Sequence, residues 1–166
     1  INIHEVLERV RQIILAEFPK GLSFIRDYDV SVPTLRGDRE QLLQVFLNIE
    51  KNAAEALDGK IAEGTAEIRV ITRVAQQVQI GLRRYRLALS IHIQDNGPGV
   101  PPEIRDRIFY PLVTGKANGS GLGLSLAQNF IRQHDGSIDV ESEPGKTDFR
   151  ILLPLSPPET GDISPA

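Results

Sequence analysis

An alternating strand that ends in a glycine-rich turn is the most constraining feature of this sequence. Apolar and polar residues alternate over residues 87–94, which predicts a strand with one buried face. The strand stops at Asp95-Asn96-Gly97-Pro98-Gly99. A carboxylate at a strand end can accept a hydrogen bond from an exocyclic amine, and glycines let a ring lie against the backbone. The pattern is compatible with a nucleotide pocket, and also with an ordinary tight turn.

The segments around this strand predict a single α/β domain over residues 1–155. Apolar residues at helical spacing predict helices over residues 3–18, 38–57 and 122–134, and a short helix from Pro101 to Phe109. Alternation predicts strands over residues 22–28, 65–76, 84–95, 137–142 and 147–155. The two long strands should pair as antiparallel neighbours around Gly81. Residues 109–121 are expected to form a mobile lid, and residues 156–166 a disordered proline-rich tail.

Length and charge exclude several kinds of function. A chain of 166 residues suits one domain, and its net charge of -3 gives no electrostatic basis for binding nucleic acid. The absence of cysteine excludes disulfides and fits a reducing compartment, so we expect a cytoplasmic protein. No apolar run approaches the roughly 20 residues of a membrane span, and no membrane partner is expected. A chain that starts at Ile1 and lacks methionine suggests an excised fragment.

Two asparagines on the second predicted helix indicate a binding surface. Asn48 and Asn52 are four residues apart, so their side chains share one face. Asparagine does not favour helix interiors, which leaves two explanations, a solvated polar face or a ligand site. An amide oxygen suits Mg²⁺, which takes few protein ligands and completes its octahedron with water and phosphate oxygens.

A second glycine cluster, Gly119-Ser120-Gly121-Leu122-Gly123-Leu124, opens the last predicted helix. Bare amides and a helix N-terminus can hold a phosphate there. The alternative is a flexible loop that meets a helix cap.

Together these segments resemble the catalytic, ATP-binding domain of two-component sensor histidine kinases, in the superfamily shared with gyrase, Hsp90 and MutL. The asparagine box corresponds to residues 48–53, the first glycine box to 95–99, the phenylalanine box to 109–112 and the second glycine box to 119–124. The resemblance covers residues 3–155. It implies a two-layer α/β sandwich, with a mixed, mostly antiparallel sheet and helices on one face (the Bergerat, or GHKL, fold).

The resemblance also implies ATP and Mg²⁺ as cofactors and assigns roles at the site. Asn52 would ligate Mg²⁺, Asn48 would position the metal or the transferred phosphoryl group, and Asp95 would bind the adenine amine. The remaining cofactor-binding residues are those of the two glycine boxes: Gly97 and Gly99 along the purine, and Gly119, Gly121, Gly123 and Leu124 near the phosphates.

Two positions depart from the family pattern. Many relatives carry a lysine that touches a phosphate where this chain has Glu55, and we expect Lys116 in the lid to substitute, unless it is an ordinary solvated loop lysine. Glu50 falls in the apolar arc of its helix, where relatives usually have an aliphatic residue. An unpaired buried carboxylate is costly, so Glu50 should either pair with an arginine or lysine or be partly protonated.

The implied function is transfer of the γ-phosphoryl group of ATP to a histidine on a separate dimerisation domain of the same protein. None of this chain's histidines fits the acceptor: His4 precedes Glu5 but no proline follows closely, and His92 and His134 are expected to be structural. His134, at a helix end, would suit the dipole as a cation.

A narrower likeness to NtrB-type kinases implies nitrogen regulation, with an NtrC-like response regulator and a PII-type regulator as partners. Two other functions stay open. A conformational ATPase of the gyrase or MutL kind needs a carboxylate base where this chain has Asn48. A degenerate nucleotide-binding scaffold without chemistry is kept open by Glu55.

Overall fold

The computed structural model describes residues 1–105, 108–109 and 123–159. It contains a five-stranded sheet and a layer of helices. The elements in chain order are α1 (Ile3–Glu17), β1 (Leu22–Asp27), α2 (Arg39–Ala56), α3 (Asp58–Glu63), β2 (Ala66–Ile80), β3 (Arg83–Asp95), α4 (Pro102–Arg105), α5 (Gly123–Gln133), β4 (Ser137–Glu143) and β5 (Lys146–Pro154). The strand order is β1-β2-β3-β5-β4. β1 runs parallel to β2 and the other neighbours are antiparallel, which confirms the predicted mixed sheet.

Side-chain caps explain where the two longest helices begin. Asn2 accepts a hydrogen bond from the backbone N–H of His4 at 3.0 Å, and Asp38 accepts one from Gln41 at 3.1 Å. Such caps satisfy N–H groups that have no partner inside the helix. Asp38 lies at the predicted start of the second helix, and its cap fixes the beginning of the helix that carries Asn48 and Asn52.

The register of the sheet places its apolar side chains on the face that packs against the helices. Val70, Ile93 and Phe149 lie side by side on β2, β3 and β5, and all three are buried in one hydrophobic cluster with α1, α2 and α5. Because side chains alternate along a strand, Asp95 points to the same face as Ile93. The carboxylate at the end of β3 is therefore held between the sheet and the helices.

Three details differ from the sequence prediction. α3 was not expected, because Gly59 suggested a break after the second helix. The β2–β3 hairpin is longer than predicted and continues to Ile80, although Gln77 adopts a positive φ of 51° within β2.

The first residues of the predicted disordered tail also differ. The Ser156 hydroxyl accepts a hydrogen bond from the Leu87 amide at 3.1 Å, and the Glu159 amide donates to the Arg84 carbonyl at 2.8 Å. Residues 160–166 lie outside the described residues.

No helix in the described ranges combines the length and hydrophobicity that crossing a membrane would require.

Candidate nucleotide site

One face of α2 organises the candidate site. Asn48, Asn52 and Ala56 follow one another at intervals of four residues, so they form a row along the helix. The row is about 12 Å long at 1.5 Å per residue. Both asparagines are half-buried. The first glycine box and the described end of the second, which begins at Gly123, lie at opposite ends of this row.

At the first end, Asn48 joins α2 to the start of α5. Its Nδ2 donates to the Gly123 carbonyl at 3.1 Å, and its Oδ1 accepts from Gln44 Nε2 at 2.6 Å. A Cβ added to Gly123 would lie 3.6 Å from the Asn48 side chain. The last glycine of the second glycine box is therefore held against the asparagine box.

At the other end, the turn after β3 lies against the end of α2. Asp95 is 7% exposed, and its Oδ1 accepts a hydrogen bond from the Gly97 amide at 2.9 Å. A Cβ at Gly97 would lie 2.9 Å from that oxygen and 3.3 Å from Leu57. Any larger residue at position 97 would therefore displace the carboxylate or the end of the helix.

The turn is fastened on two sides. Asn96 accepts from the Glu67 amide and donates to the Thr65 carbonyl, both at 2.8 Å, which ties the turn to the start of β2. On the opposite side, the Gly145 amide donates to the Gly97 carbonyl at 3.0 Å. These contacts fix the position of Asp95 relative to the sheet.

The structure thus brings together five predicted site residues along α2: Asn48, Asn52, Asp95, Gly97 and Gly123. Gly99 adopts a φ of +88° beside the backbone of β4, and Leu124 is half-buried against the hydrophobic core. Lys116, Gly119 and Gly121 lie outside the described residues, as do most of the predicted lid and the phenylalanine box beyond Phe109. Phe109 itself packs edge-on against Phe149 at 6.2 Å.

Sequence reasoning missed the residues that support the site. Asn96 carried a signal, since asparagine in a turn often bonds to nearby backbone. Gln44 is four residues before Asn48, a spacing that allows contact on a helix. Ser142, which bonds to the turn from β4, carried none.

The residues present suit the expected magnesium ion. Within the described ranges, no three His, Asp or Glu side chains gather into a metal site. Mg²⁺ does not require such a group, because it is often held by one or two protein oxygens together with phosphate and water. Asn52 offers an amide oxygen between the two ends of the row.

Glu50 lies on a different face of α2 and is fully buried. Neither carboxylate oxygen has a hydrogen-bond partner among the described residues, so the predicted pairing with arginine or lysine is not seen there. Burial, and then the charge of Glu8, raise the pKa of Glu50 well above its usual range. The raised pKa agrees with the other expectation, a partly protonated acid. Tyr28, which donates to Glu8 at 3.1 Å, also has its pKa raised, chiefly by burial.

The three histidines all have structural contacts. His4 Nε2 lies 2.8 Å from Thr72 Oγ1, and its ring stacks on Tyr28 with centroids 4.6 Å apart. Burial lowers the pKa of His4, which favours the neutral ring. His92 Nδ1 lies 3.0 Å from Asp148 Oδ1, on the face of the sheet that is turned away from the helices.

His134 uses both of its ring nitrogens in structural contacts. Its Nδ1 lies 2.8 Å from the Phe130 carbonyl, which can only accept, so Nδ1 donates. Its Nε2 then accepts from the Asp38 amide at 2.9 Å. The ring thus donates at one nitrogen and accepts at the other, which gives His134 the structural role that was expected. The contact joins the end of α5 to the cap of α2.

Comparison with known sequences gives long matches. A model of the family described as histidine kinase-, DNA gyrase B-, and HSP90-like ATPase matches residues 37–157. The sensory histidine kinase/phosphatase NtrB of Salmonella typhimurium is 49% identical over 154 residues, which cover 93% of this chain and 43% of that protein. NtrB of Rhodobacter capsulatus is 44% identical over 164 residues, with coverage of 96% and 44%. The chain therefore spans less than half of these relatives.

Solved structures show the same fold. A mycobacterial sensor histidine kinase, MprB, superposes with a TM-score of 0.73 at 24% identity, covering 95% of this chain and 98% of that one. Full-length ShkA, solved in complex with AMPPNP, has a TM-score of 0.73 at 24% identity and covers 94% and 30%. The fold class predicted from sequence and the resemblance that suggested it are both confirmed.

Proposed function

The chain belongs to the histidine kinase-, DNA gyrase B- and HSP90-like ATPase family, and from this we propose that it is the ATP-binding catalytic part of a sensor histidine kinase. In this proposal it binds Mg²⁺-ATP and donates the γ-phosphoryl group to a histidine on another domain of the same protein. The observation that carries the proposal is the row on α2. Three groups follow one another along a single face of this helix: Asn48 with Gly123, then Asn52, then Gly97 with Asp95.

Each end of the row suits a different part of a nucleotide. Asp95 is a buried acceptor-only group beside a glycine, which fits an exocyclic amine on a flat base. Gly123 begins α5, and a helix N-terminus attracts phosphate. In this arrangement Gly99 would line the purine, while Gly119, Gly121 and Leu124 would lie towards the phosphates with Lys116.

In the proposed reaction, the chain positions the nucleotide and does not supply a covalent group. Asn52 would hold Mg²⁺, which neutralises charge on the phosphates when it is bound. Asn48 would keep the start of α5 against α2, so that the phosphate end of the site stays at a fixed distance from Asp95. Fixed positions of this kind account for much of the catalysis in phosphoryl transfer.

Asn48 also supports a kinase over a conformational ATPase. Hydrolysis of that kind needs a carboxylate base one turn before the metal ligand, and an amide cannot take a proton from water. Both polar atoms of Asn48 are also hydrogen-bonded, to Gln44 and Gly123. The scaffold alternative is less favoured, because the contacts that hold Asp95 in place are intact.

The relatives suggest a wider context for the proposed kinase. They are named sensory histidine kinase/phosphatase NtrB, and this chain covers less than half of each. We therefore propose a cytoplasmic kinase of nitrogen regulation, whose remaining part includes a dimerisation domain with the acceptor histidine. An NtrC-like response regulator and a PII-type regulator would be its partners.

Labelling with γ-³²P-ATP tests the proposal. The chain alone should bind Mg²⁺-ATP and label itself negligibly, because none of its histidines is placed as an acceptor. Adding the separately expressed dimerisation domain should produce acid-labile, base-stable label on that domain, at a rate that rises with its concentration. Steady release of free phosphate without an acceptor would favour the ATPase, and binding without transfer would favour the scaffold.

A further inference from the structure

The turn that carries Asp95 is held by a side chain of β4, Ser142, which has no part in the proposed reaction. Ser142 Oγ accepts a hydrogen bond from the Val100 amide at 2.7 Å. Val100 is the first residue after Gly99, so this bond fixes the point where the chain leaves the turn. Ser142 belongs to the β4–β5 hairpin, which is far from Val100 in sequence but adjacent in space.

The backbone of the hairpin also presses closely against the turn. A Cβ at Gly99 would lie 2.7 Å from the Glu143 carbonyl and 3.0 Å from Ser142 Oγ. The Gly145 amide donates to the Gly97 carbonyl at 3.0 Å. Of these contacts between turn and hairpin, the Ser142 bond to Val100 is the one that a conservative substitution can remove without changing the backbone.

Ser142 has a second partner that leads back to Asp95. Its Oγ lies 3.1 Å from Thr147 Oγ1 on β5. Either hydroxyl can donate in this contact, because Ser142 Oγ keeps its hydrogen and a second lone pair while it accepts from Val100. Thr147 is paired with Asp95 across β3 and β5, and both residues are nearly fully buried. Ser142 thus links the exit of the turn to the strand neighbour of the carboxylate.

We infer that Ser142 is a positioning residue for base recognition: it holds the turn at Val100 so that Asp95 meets the base in a fixed orientation. The inference rests on the proposed nucleotide binding. Without the hydroxyl, the Val100 amide loses its acceptor and the turn is held at that side only by backbone contacts. Base discrimination should fall together with ATP affinity, because discrimination depends on the orientation of a buried polar group.

The test compares Ser142→Ala with Ser142→Thr, which keeps the hydroxyl, and with Ser137→Ala at the opposite end of β4. Affinities for ATP and GTP are measured by titration calorimetry on the 166-residue chain, and folding is checked by thermal unfolding. We expect Ser142→Ala to weaken ATP binding by about fivefold, or ~1 kcal/mol, and to lower the ATP-to-GTP preference by at least about threefold. Ser142→Thr should restore both values, and Ser137→Ala should leave them unchanged.

Amide hydrogen exchange gives a readout that does not depend on nucleotide. The Val100 amide should exchange faster in Ser142→Ala than in Ser142→Thr or Ser137→Ala. If Ser142→Ala lowers thermal stability but keeps the ATP-to-GTP preference, the positioning inference is wrong while the proposed function stands. If the unaltered chain binds neither nucleotide, the proposed function fails first, and there is no base for Ser142 to position.

Discussion

Two carboxylates are buried in the part of the molecule that the structure describes, and their surroundings differ in a way that separates the candidate site from a cost to folding. Asp95 is 7% exposed and accepts a hydrogen bond from Gly97 inside a turn that is held from both sides. Glu50 is 0% exposed, and its oxygens have no hydrogen-bond partner in the described part of the chain. Burial of an acid is thus no sign of function by itself. What distinguishes Asp95 is a hydrogen-bond partner inside a turn whose position is fixed by the neighbouring segments.

The largest expected effect concerns Asn52, two residues from Glu50 on the same helix. Asn52→Ala should reduce phosphoryl transfer to the added dimerisation domain by at least about 100-fold, since even the outer partners of metal ligands are worth roughly 10–100-fold. Transfer is measured with labelled ATP, and thermal unfolding serves as the control. Phosphoryl transfer at the normal rate in Asn52→Ala would show that Asn52 does not bind the metal.

Asp95→Asn should weaken ATP binding by roughly 1–3 kcal/mol, because an amide replaces an acceptor-only group and leaves polar groups unpaired. Preference for ATP over GTP should fall as well. Calorimetry on the 166-residue chain measures both quantities. Unchanged ATP affinity would mean that Asp95, like Glu50, is buried but does not bind the nucleotide.

Glu50→Val should stabilise the fold by roughly 1–2 kcal/mol near neutral pH, because it removes a buried polar group that lacks a partner. ATP affinity should not change. Thermal unfolding measures the gain, and Glu50→Gln is the matched control, since it keeps the shape and the polarity but cannot ionise. A clear loss of stability in Glu50→Val would show that Glu50 has a partner or a role of its own.

The raised pKa of Glu50 predicts that the stability gained in Glu50→Val depends on pH. The folded-state pKa of Glu50 lies above its unfolded value of about 4.5, so below pH 4.5 the acid is protonated in both states. As the pH rises above that value, the unfolded state ionises first and the native state loses relative stability. The advantage of Glu50→Val should therefore be small at pH 4 and grow towards neutral pH. An advantage that stays constant with pH would contradict the raised pKa.

The smallest expected effect concerns Gln44, which holds Asn48 by one hydrogen bond from an exposed position. Gln44→Ala should change stability by no more than about 0.5 kcal/mol. ATP affinity should fall by about twofold, because Asn48 loses one of the two contacts that orient it. ATP affinity is measured by titration calorimetry, and Gln41→Ala, on the same helix, is the control variant. An equal effect in both variants would show that Gln44 acts only through the helix.

The parts of the molecule that sequence predicted are those with a local signal. The periodicity of α2 and of β3 was enough to place Asn48 and Asn52 on one face of α2 and Asp95 at the end of β3. α3 was missed because six residues around Gly59 carry too little periodicity. The roles of Ser142 and Asn96 depend on which segments are neighbours in space. The pairing of β5 with β3, which brings Ser142 to the turn, is not a local property.

Glu50 could be predicted in part. Its place in an apolar arc of α2 indicated burial, and burial of an acid implied either a pair or a proton. The choice between them depended on which charges α1 brings near, and the structure places Glu8 there in place of a cation.

The strand order has a consequence for how the chain completes its fold. β5 is the last strand in sequence, yet it lies inside the sheet between β3 and β4. Until β5 is in place, β3 has an open edge on that side, and β4 has no strand beside it in this sheet. An open edge of an apolar strand is a template for pairing with other chains. A chain cut before Lys146 should therefore aggregate, so the end of this domain has to be synthesised before the rest of its sheet is protected.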